Sequence, residues 1–247
     1  MSSNWCGHLP RDVGVVIVAA GRGARFGGPT AKQYQPIGGV PMVLRALRHF
    51  TSHPDVIQVV LVLPSEDASN PPAFLSAAPP SSSFSSVSSV LTIVAGGAHR
   101  SDSVRAGLVA LRRECTVVLV HDGARPFVDR TVLEAVIRFA RSGEGAVPAV
   151  PLSDTLKEAS ATDSTLIRRT RPRARLWRAQ TPQGFPRAVL EEAHARAARA
   201  GHRATDDAAL VEAMGVPVRL VPDSCRNLKV TTPEDLALAE LLADASA

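Results

Sequence analysis

The stretch "VVIVAAGRGARFGGPTAKQY", Val15–Tyr34, decides the fold. Val13 to Ala20 is an unbroken, β-branched apolar run, as expected of a strand buried on both faces in a parallel sheet. A glycine-rich turn follows, flanked by Arg22, Arg25 and Lys32. Glycine lets backbone N–H groups close around a ligand while Arg and Lys add full charge, so the turn predicts an anion, most simply a phosphate. Two common phosphate loops do not match. The Gly-Lys-Ser/Thr of a P-loop is absent, and Phe26 stands where the third glycine of G-x-G-x-x-G belongs.

Working outward, strands and helices alternate. Met42, Val43, Ala46, Leu47 and Phe50 share one side of a helix entered through Pro41, and Val56–Leu63 is a second buried strand. Val90–Gly97 reads as a strand ending in glycines, and Ser101–Arg113 as a helix with a Ser N-cap and Val104, Leu108 and Leu111 inside. "TVVLVHDGARPFV" repeats the pattern of buried strand and polar loop. Arg130–Arg141 is helical, with Val132, Leu133, Val136, Ile137 and Ala140 inward, and Gly145–Pro151 is a short strand. A further helix follows Phe185, "VPVRLVP" is a strand, and a last helix is capped at Thr232 with Pro233 first. The alternation predicts an α/β, doubly wound, mostly parallel sheet, with ligands beyond the carboxyl ends of the strands. Gly21–Lys32, Gly96–Ser103, His121–Pro126 and the segment before Lys229 then share one crevice.

Two segments break the rhythm. Residues 65–90 are dominated by Ser, Pro and Ala and offer little apolar surface, which predicts a mobile surface excursion. Residues 152–178 are polar, have no helical period and carry six arginines between Arg168 and Arg178. There Arg169, Arg171, Arg173 and Arg175 recur at every second position, which in an extended strand aligns four like charges on one face. Such a face needs an anion or another chain against it. Pro172 confines it to an edge or irregular strand.

Composition bounds the rest. A chain of 247 residues with 45% hydrophobic content suits one large α/β domain. No apolar run approaches the roughly 20 residues of a membrane span, and the opening "MSSNWCGHLPRDV" has no signal-peptide core, so a soluble, cytoplasmic protein without a membrane partner is expected. Cys6, Cys115 and Cys225 have neither metal-ligand spacing nor an even number, and read as reduced thiols. The net charge of +5 favours anionic partners. Nucleic acid is disfavoured, because few aromatic side chains accompany the arginines to form a stacking platform.

Seven ordered blocks, "AAGRGARF…AKQY", "GGAHRSDSV", "VHDGARP", "DTLKE", "LWRAQTPQGF", "TDDAALVE" and "NLKVTTPEDLALAE", resemble the 2-C-methyl-D-erythritol 4-phosphate cytidylyltransferase family of nucleotidyltransferases. The resemblance implies a Rossmann-like nucleotidyltransferase fold with a projecting β-arm, one domain over 1–247, and the arm at about 152–178. It implies transfer of CMP from CTP to methylerythritol phosphate with release of pyrophosphate in the non-mevalonate pathway to isoprenoids, and Mg²⁺ or another divalent cation as cofactor. Ala19, Ala20, Gly21, Gly23, Gly97, Ser103 and Asp122 would meet CTP. Arg25, Lys32, Arg173 and Lys229 would be catalytic. Asp122, Arg125, Thr155, Arg173, Thr181, Thr205 and Lys229 would meet the sugar-alcohol phosphate. No metal ligands are assigned. Members dimerise through the arm, which implies a homodimer with Arg173 acting on the partner's site. Ala31, Ala98 and Pro172 depart from the usual family residues. The sister ribitol-5-phosphate cytidylyltransferases share several of these blocks and are the nearest alternative, followed by a nucleotide-binding regulator without activity.

Overall fold

Valine-rich runs become the middle of an eight-stranded sheet in the computed structural model, which describes residues 11–21, 26, 31–76 and 90–245. The strands are β1 (Val13–Val18), β2 (Pro36–Ile37), β3 (Val40–Pro41), β4 (Val56–Leu63), β5 (Leu91–Ala95), β6 (Val117–Asp122), β7 (Gly145–Pro151), β8 (Leu156–Ala159), β9 (Ile167–Arg171), β10 (Trp177–Ala179), β11 (Gln183–Pro186) and β12 (Val218–Pro222). The helices are α1 (Met42–Thr51), α2 (Ser65–Ser69), α3 (Ala73–Ser76), α4 (Arg100–Ala110), α5 (Arg130–Arg141), α6 (Arg187–Arg199), α7 (Asp207–Glu212) and α8 (Pro233–Asp244). In the main sheet, β5, β4, β1 and β6 run parallel in that order, β11 is antiparallel to β6, β10 and β11 are antiparallel to β7, and β12 is parallel to β7. This is the doubly wound, mostly parallel architecture expected.

Alternation along β1 divides the core. Val15 and Ile17 pack with Val43, Leu47 and Phe50 of α1 and with Val136 and Ile137 of α5, while Val16 packs with Val104 and Leu108 of α4 and Leu190 of α6. Both faces of the strand are thereby covered, which is why it carries no polar residue. The five inward residues expected in α1 and the five in α5 are all buried. Helix α4 sits so close to the sheet that a Cβ on Gly107 would collide with Val16 Cγ1. Gly107→Ala is therefore expected to destabilise the fold by about 1–3 kcal/mol, the usual cost of overpacking. A lower urea midpoint at unchanged slope would show it, and an unchanged midpoint would refute the contact.

Three local expectations need correction. Helix α4 is capped by His99, whose N–H donates to Asp102 Oδ2 at 3.0 Å, and not by a serine, because Asp102 can complete the first turn only from that start. The first part of the excursion is folded onto the body. Tyr34 donates to Asp67 Oδ2 at 2.6 Å and meets Phe74 edge-on at 5.5 Å, while Ala68 and Leu75 pack against the α1 layer. Residues 77–89 lie outside those described. The four-arginine face is also shorter than its spacing predicts. Strand β9 ends at Arg171, and Glu158 on the paired β8 supplies the anion, accepting from Arg168 at 3.2 Å, from Arg169 at 2.9 Å and from Arg171. Arg173 and Arg175 follow the strand, and Arg173 donates to the Ser153 carbonyl.

Candidate active site

The carboxyl ends of β1, β4, β5 and β6 meet in one place. Val18 lies opposite Asp122 in register, Ala19 N–H donates to the Val62 carbonyl at 2.8 Å, and Gly96 N–H donates to that of Leu63 at 2.8 Å. Gly96 is required there, since a Cβ would overlap the Ala20 methyl and lie 2.8 Å from Ser103 Oγ. The result is a cleft of about 240 Å³, lined by Ala19, Ala20, Gly21 and Gly97 and by Lys32, Arg100, Ser103, Asp122 and Lys229. Ser103 Oγ accepts from Gly97 N–H at 3.2 Å and so fixes the glycine pair against the start of α4.

A chain of charges crosses the cleft. Lys229 Nζ donates to Asp122 Oδ2 at 2.6 Å, and Arg100 Nε donates to Oδ1 of the same carboxylate at 3.2 Å. Arg100 Nη1 donates to Asp207 Oδ2 at 2.7 Å, and His194 Nε2 meets Asp207 Oδ1 at 2.9 Å. Burial alone would push the Asp122 carboxyl up, but Arg100 and Lys229 outweigh it and hold the group well below the usual carboxylate range. For Asp207 likewise, His194 and Arg100 outweigh the effect of burial and lower the carboxyl. The loop carrying Lys229 is tied to the β6 loop by Val230 N–H on the Ala124 carbonyl at 2.9 Å.

Beneath Asp122 lies a second, fully buried set. His121 Nε2 donates to the Arg125 carbonyl at 3.0 Å, Thr181 Oγ1 donates to His121 Nδ1 at 2.9 Å, and Asp122 N–H donates to Thr181 Oγ1 at 3.1 Å. Burial pushes the His121 imidazole down to about 3. The unfolded ring takes up a proton below about pH 6.5 and the native ring does not, so the unfolded state binds more protons between those values and stability falls on acidification. A loss of about 2 kcal/mol between pH 6.5 and 5 is expected from this group. Urea midpoints across that range would follow it, and His121→Gln should flatten the slope; an identical slope would refute the assignment.

The cleft thus brings together Ala19, Ala20, Gly21, Lys32, Gly97, Ser103, Asp122 and Lys229. Gly23 and Arg25 lie outside the described residues. The structure does not bring Arg125, Thr181, Thr205, Thr155 or Arg173 to the lining. Arg125 is buried and donates to the Asn227 carbonyl at 2.6 Å, bracing the Lys229 loop, and Thr181 is held beneath Asp122. Thr205 is exposed just before the α7 cap Asp206, while Thr155 and Arg173 are exposed on the arm. Sequence reasoning missed Arg100, Asp207 and Asn227. All three stand inside recognised blocks, "GGAHRSDSV", "TDDAALVE" and "NLKVTTPEDLALAE", which was the available signal, but no local pattern announces a pair 107 positions apart such as Arg100 and Asp207.

The model of the family described as IspD, 2-C-methyl-D-erythritol 4-phosphate cytidylyltransferase, matches residues 13–244. The chain is 41% identical over 241 residues to the 2-C-methyl-D-erythritol 4-phosphate cytidylyltransferase of Symbiobacterium thermophilum, covering 98% of this chain and 97% of that protein. It is 38% identical over 225 residues to the protein of the same name from Syntrophus aciditrophicus, covering 91% and 93%. Among solved structures, that of the Thermus thermophilus 2-C-methyl-D-erythritol 4-phosphate cytidylyltransferase is similar, with a TM-score of 0.72, 37% identity and coverage of 94% of this chain and 99% of that one. The sequence, the sheet order and the cationic cleft converge: the chain belongs to the 2-C-methyl-D-erythritol 4-phosphate cytidylyltransferase family.

Proposed function

We propose that the cleft transfers CMP from CTP to 2-C-methyl-D-erythritol 4-phosphate and releases pyrophosphate, the reaction of its family in the non-mevalonate pathway. The observation that carries the reading is the convergence of Lys32, Arg100 and Lys229 on a glycine-lined backbone, with Asp122 the single carboxylate among the described residues of the lining. A phosphate oxygen of the sugar-alcohol phosphate attacks the α-phosphorus of CTP, a new P–O bond forms, and the bond to the leaving pyrophosphate breaks. The second pKa of a phosphate monoester is about 6, so the nucleophile is already largely a dianion at neutral pH and needs no general base. Catalysis then consists of alignment and of neutralising negative charge on the α-phosphate and the leaving group. Lys32 has that role, together with Arg25. Lys229, fixed by Asp122, holds the attacking phosphate, and Arg100 fixes Asp122 from the other side.

A divalent cation fits this donor set in one way. Among the described residues no group of three or more His, Cys, Asp or Glu could enclose a metal ion, whereas a magnesium ion commonly takes one or two carboxylates and fills its shell with water and substrate phosphates. Asp122 is the residue that would hold it, and the ion would supply further charge neutralisation on the triphosphate.

The arm supports a homodimer. Leu166, Ile167, Leu176 and Trp177 are exposed by 38% or more, and Thr155 and Arg173 lie outside the lining of their own chain's cleft. Exposed apolar surface of this kind is normally covered by a partner. A second copy covers it, and its arm brings Arg173 and Thr155 to the substrate phosphate. Among the described residues no helix is long and apolar enough to cross a membrane.

Pyrophosphate release from CTP with a panel of polyol phosphates tests the reading. Methylerythritol 4-phosphate is expected to be the fastest acceptor. Faster turnover of ribitol 5-phosphate would transfer the chain to the sister activity, and no turnover of any acceptor would leave a nucleotide-binding protein.

A further inference from the structure

The chain of charges in the cleft continues behind its wall. Arg100, Asp122 and Lys229 line the cleft, whereas Asp207 and His194 do not. Asp207 is 1% exposed and His194 is 2% exposed, so neither meets a substrate. Polar groups at this depth cost free energy unless they are paired, and this pair is joined to the cleft through Arg100. Asp207 opens α7, whose start is fixed from β11: Gln183 Nε2 donates to Asp206 Oδ2 at 2.8 Å, and Ala208 N–H donates to Gln183 Oε1 at 3.0 Å. Gln183 lies opposite Val120 in β6, two positions before Asp122, so the backbones of both carboxylates belong to one frame.

What that frame leaves open is the plane of the Asp207 carboxylate and the path of the Arg100 side chain. His194 settles the first. An ionised carboxylate only accepts, so His194 Nε2 donates to Asp207 Oδ1 at 2.9 Å, while the buried Nδ1 of the same ring has no partner among the described residues. The ring thus spends its one hydrogen bond on Asp207. With Oδ1 held, Oδ2 is aimed at Arg100 Nη1 at 2.7 Å and settles the second. The guanidinium is a rigid fork, so fixing Nη1 also directs its Nε, which reaches Asp122 Oδ1 at 3.2 Å. Asp122 then presents Oδ2 to the Lys229 ammonium at 2.6 Å. Loss of Asp207 would return to Arg100 the freedom of a long side chain and would take from Asp122 one of the two cations hydrogen-bonded to it.

We propose that His194 and Asp207 are positioning residues, which through Arg100 and Asp122 set the orientation of the Lys229 ammonium in the cleft. The consequence for turnover rests on the role given above to Lys229 in holding the attacking phosphate; the link from His194 to Lys229 is read without turnover.

The chain has three lysines, Lys32, Lys157 and Lys229, so spectra of protein labelled with ¹³C at lysine Cε resolve the test. The Lys229 signal is identified by its loss in Lys229→Arg. His194→Leu and Asp207→Asn are each expected to move it in the direction that Asp122→Asn moves it, and to leave the signal of Lys157, on the arm, in place. His194→Gln, whose amide can still donate to Asp207, should bring it back toward the wild-type position. Leu190→Ala removes core packing from the same helix and should lower the urea midpoint without moving the Lys229 signal. In steady-state kinetics, His194→Leu should lower kcat/KM for the sugar-alcohol phosphate about tenfold, within the range by which contiguous networks couple sites, and His194→Gln should recover most of that loss. An unmoved Lys229 signal in either folded variant, an equal displacement in Leu190→Ala, or glutamine no better than leucine at position 194 would overturn the proposal. A displaced signal with wild-type kcat/KM would uphold the link and remove Lys229 from the reaction.

Discussion

Replacing Lys32 by alanine is expected to lower kcat for cytidylyl transfer by about 10²–10³, the usual cost of removing one fixed group that stabilises developing charge. The side chain lines the cleft with Gly21, and in the proposed reaction its cation would meet the charge that gathers on the α-phosphate. KM for both substrates should change far less, because the interaction strengthens in the transition state and contributes little to ground-state binding. Lys229→Ala makes the contrast. It removes a partner of Asp122 and the group assigned to the attacking phosphate, so the loss should appear chiefly in kcat/KM for the sugar-alcohol phosphate. Steady-state kinetics with each substrate varied separates the two. Wild-type kcat/KM for both substrates in Lys32→Ala would remove this residue from the mechanism, provided the urea midpoint is unchanged.

Much of this molecule is written in local patterns. The inward residues of α1 and α5 follow from helical spacing, and the buried strands from unbroken valine-rich runs, because burial on one or both faces leaves a periodic trace in the chain. The expectation of an anion at the glycine turn after β1 rests on the same kind of reason, since glycine density and charge are local. What the sequence left out is long-range and chemical. Arg100 reads as an ordinary polar residue at a helix start until Asp207 is brought beside it. Arg125 and Thr181 look like ligand-binding groups in isolation, yet one closes on the Asn227 carbonyl and the other on His121 and Asp122. A polar side chain in a recognised motif can thus serve the site by holding its neighbours. The arginine spacing failed for a related reason. Glu158, on the opposite strand of the hairpin, neutralises part of the charge that the period-two pattern presents as unopposed.

That internal neutralisation sharpens the expectation for Arg173, which lies beyond the strand and outside Glu158's reach of hydrogen bonds, held to the Ser153 carbonyl at the base of the arm. A carbonyl is a weaker partner for guanidinium than a phosphate, which accepts in bidentate fashion with full opposing charge. In the proposed dimer, Arg173 would exchange that contact for a substrate phosphate in the partner's cleft. Arg173→Ala should be nearly inactive, with a loss of about 10² in kcat/KM for the sugar-alcohol phosphate from misplacement of the nucleophile. Mixing it with Lys32→Ala gives the decisive result. In a heterodimer, one cleft keeps its own Lys32 and receives an intact Arg173, while the other lacks both. With random exchange about half the dimers are mixed and half of their sites are whole, so activity should recover to about one quarter of wild type. If Arg173 instead serves its own chain, every site in the mixture lacks one group, and activity stays at the sum of the two variants despite subunit exchange verified by mass. Recovery to the quarter level would establish both the dimer and the crossing of the arm; its absence would return Arg173 to the surface of its own subunit.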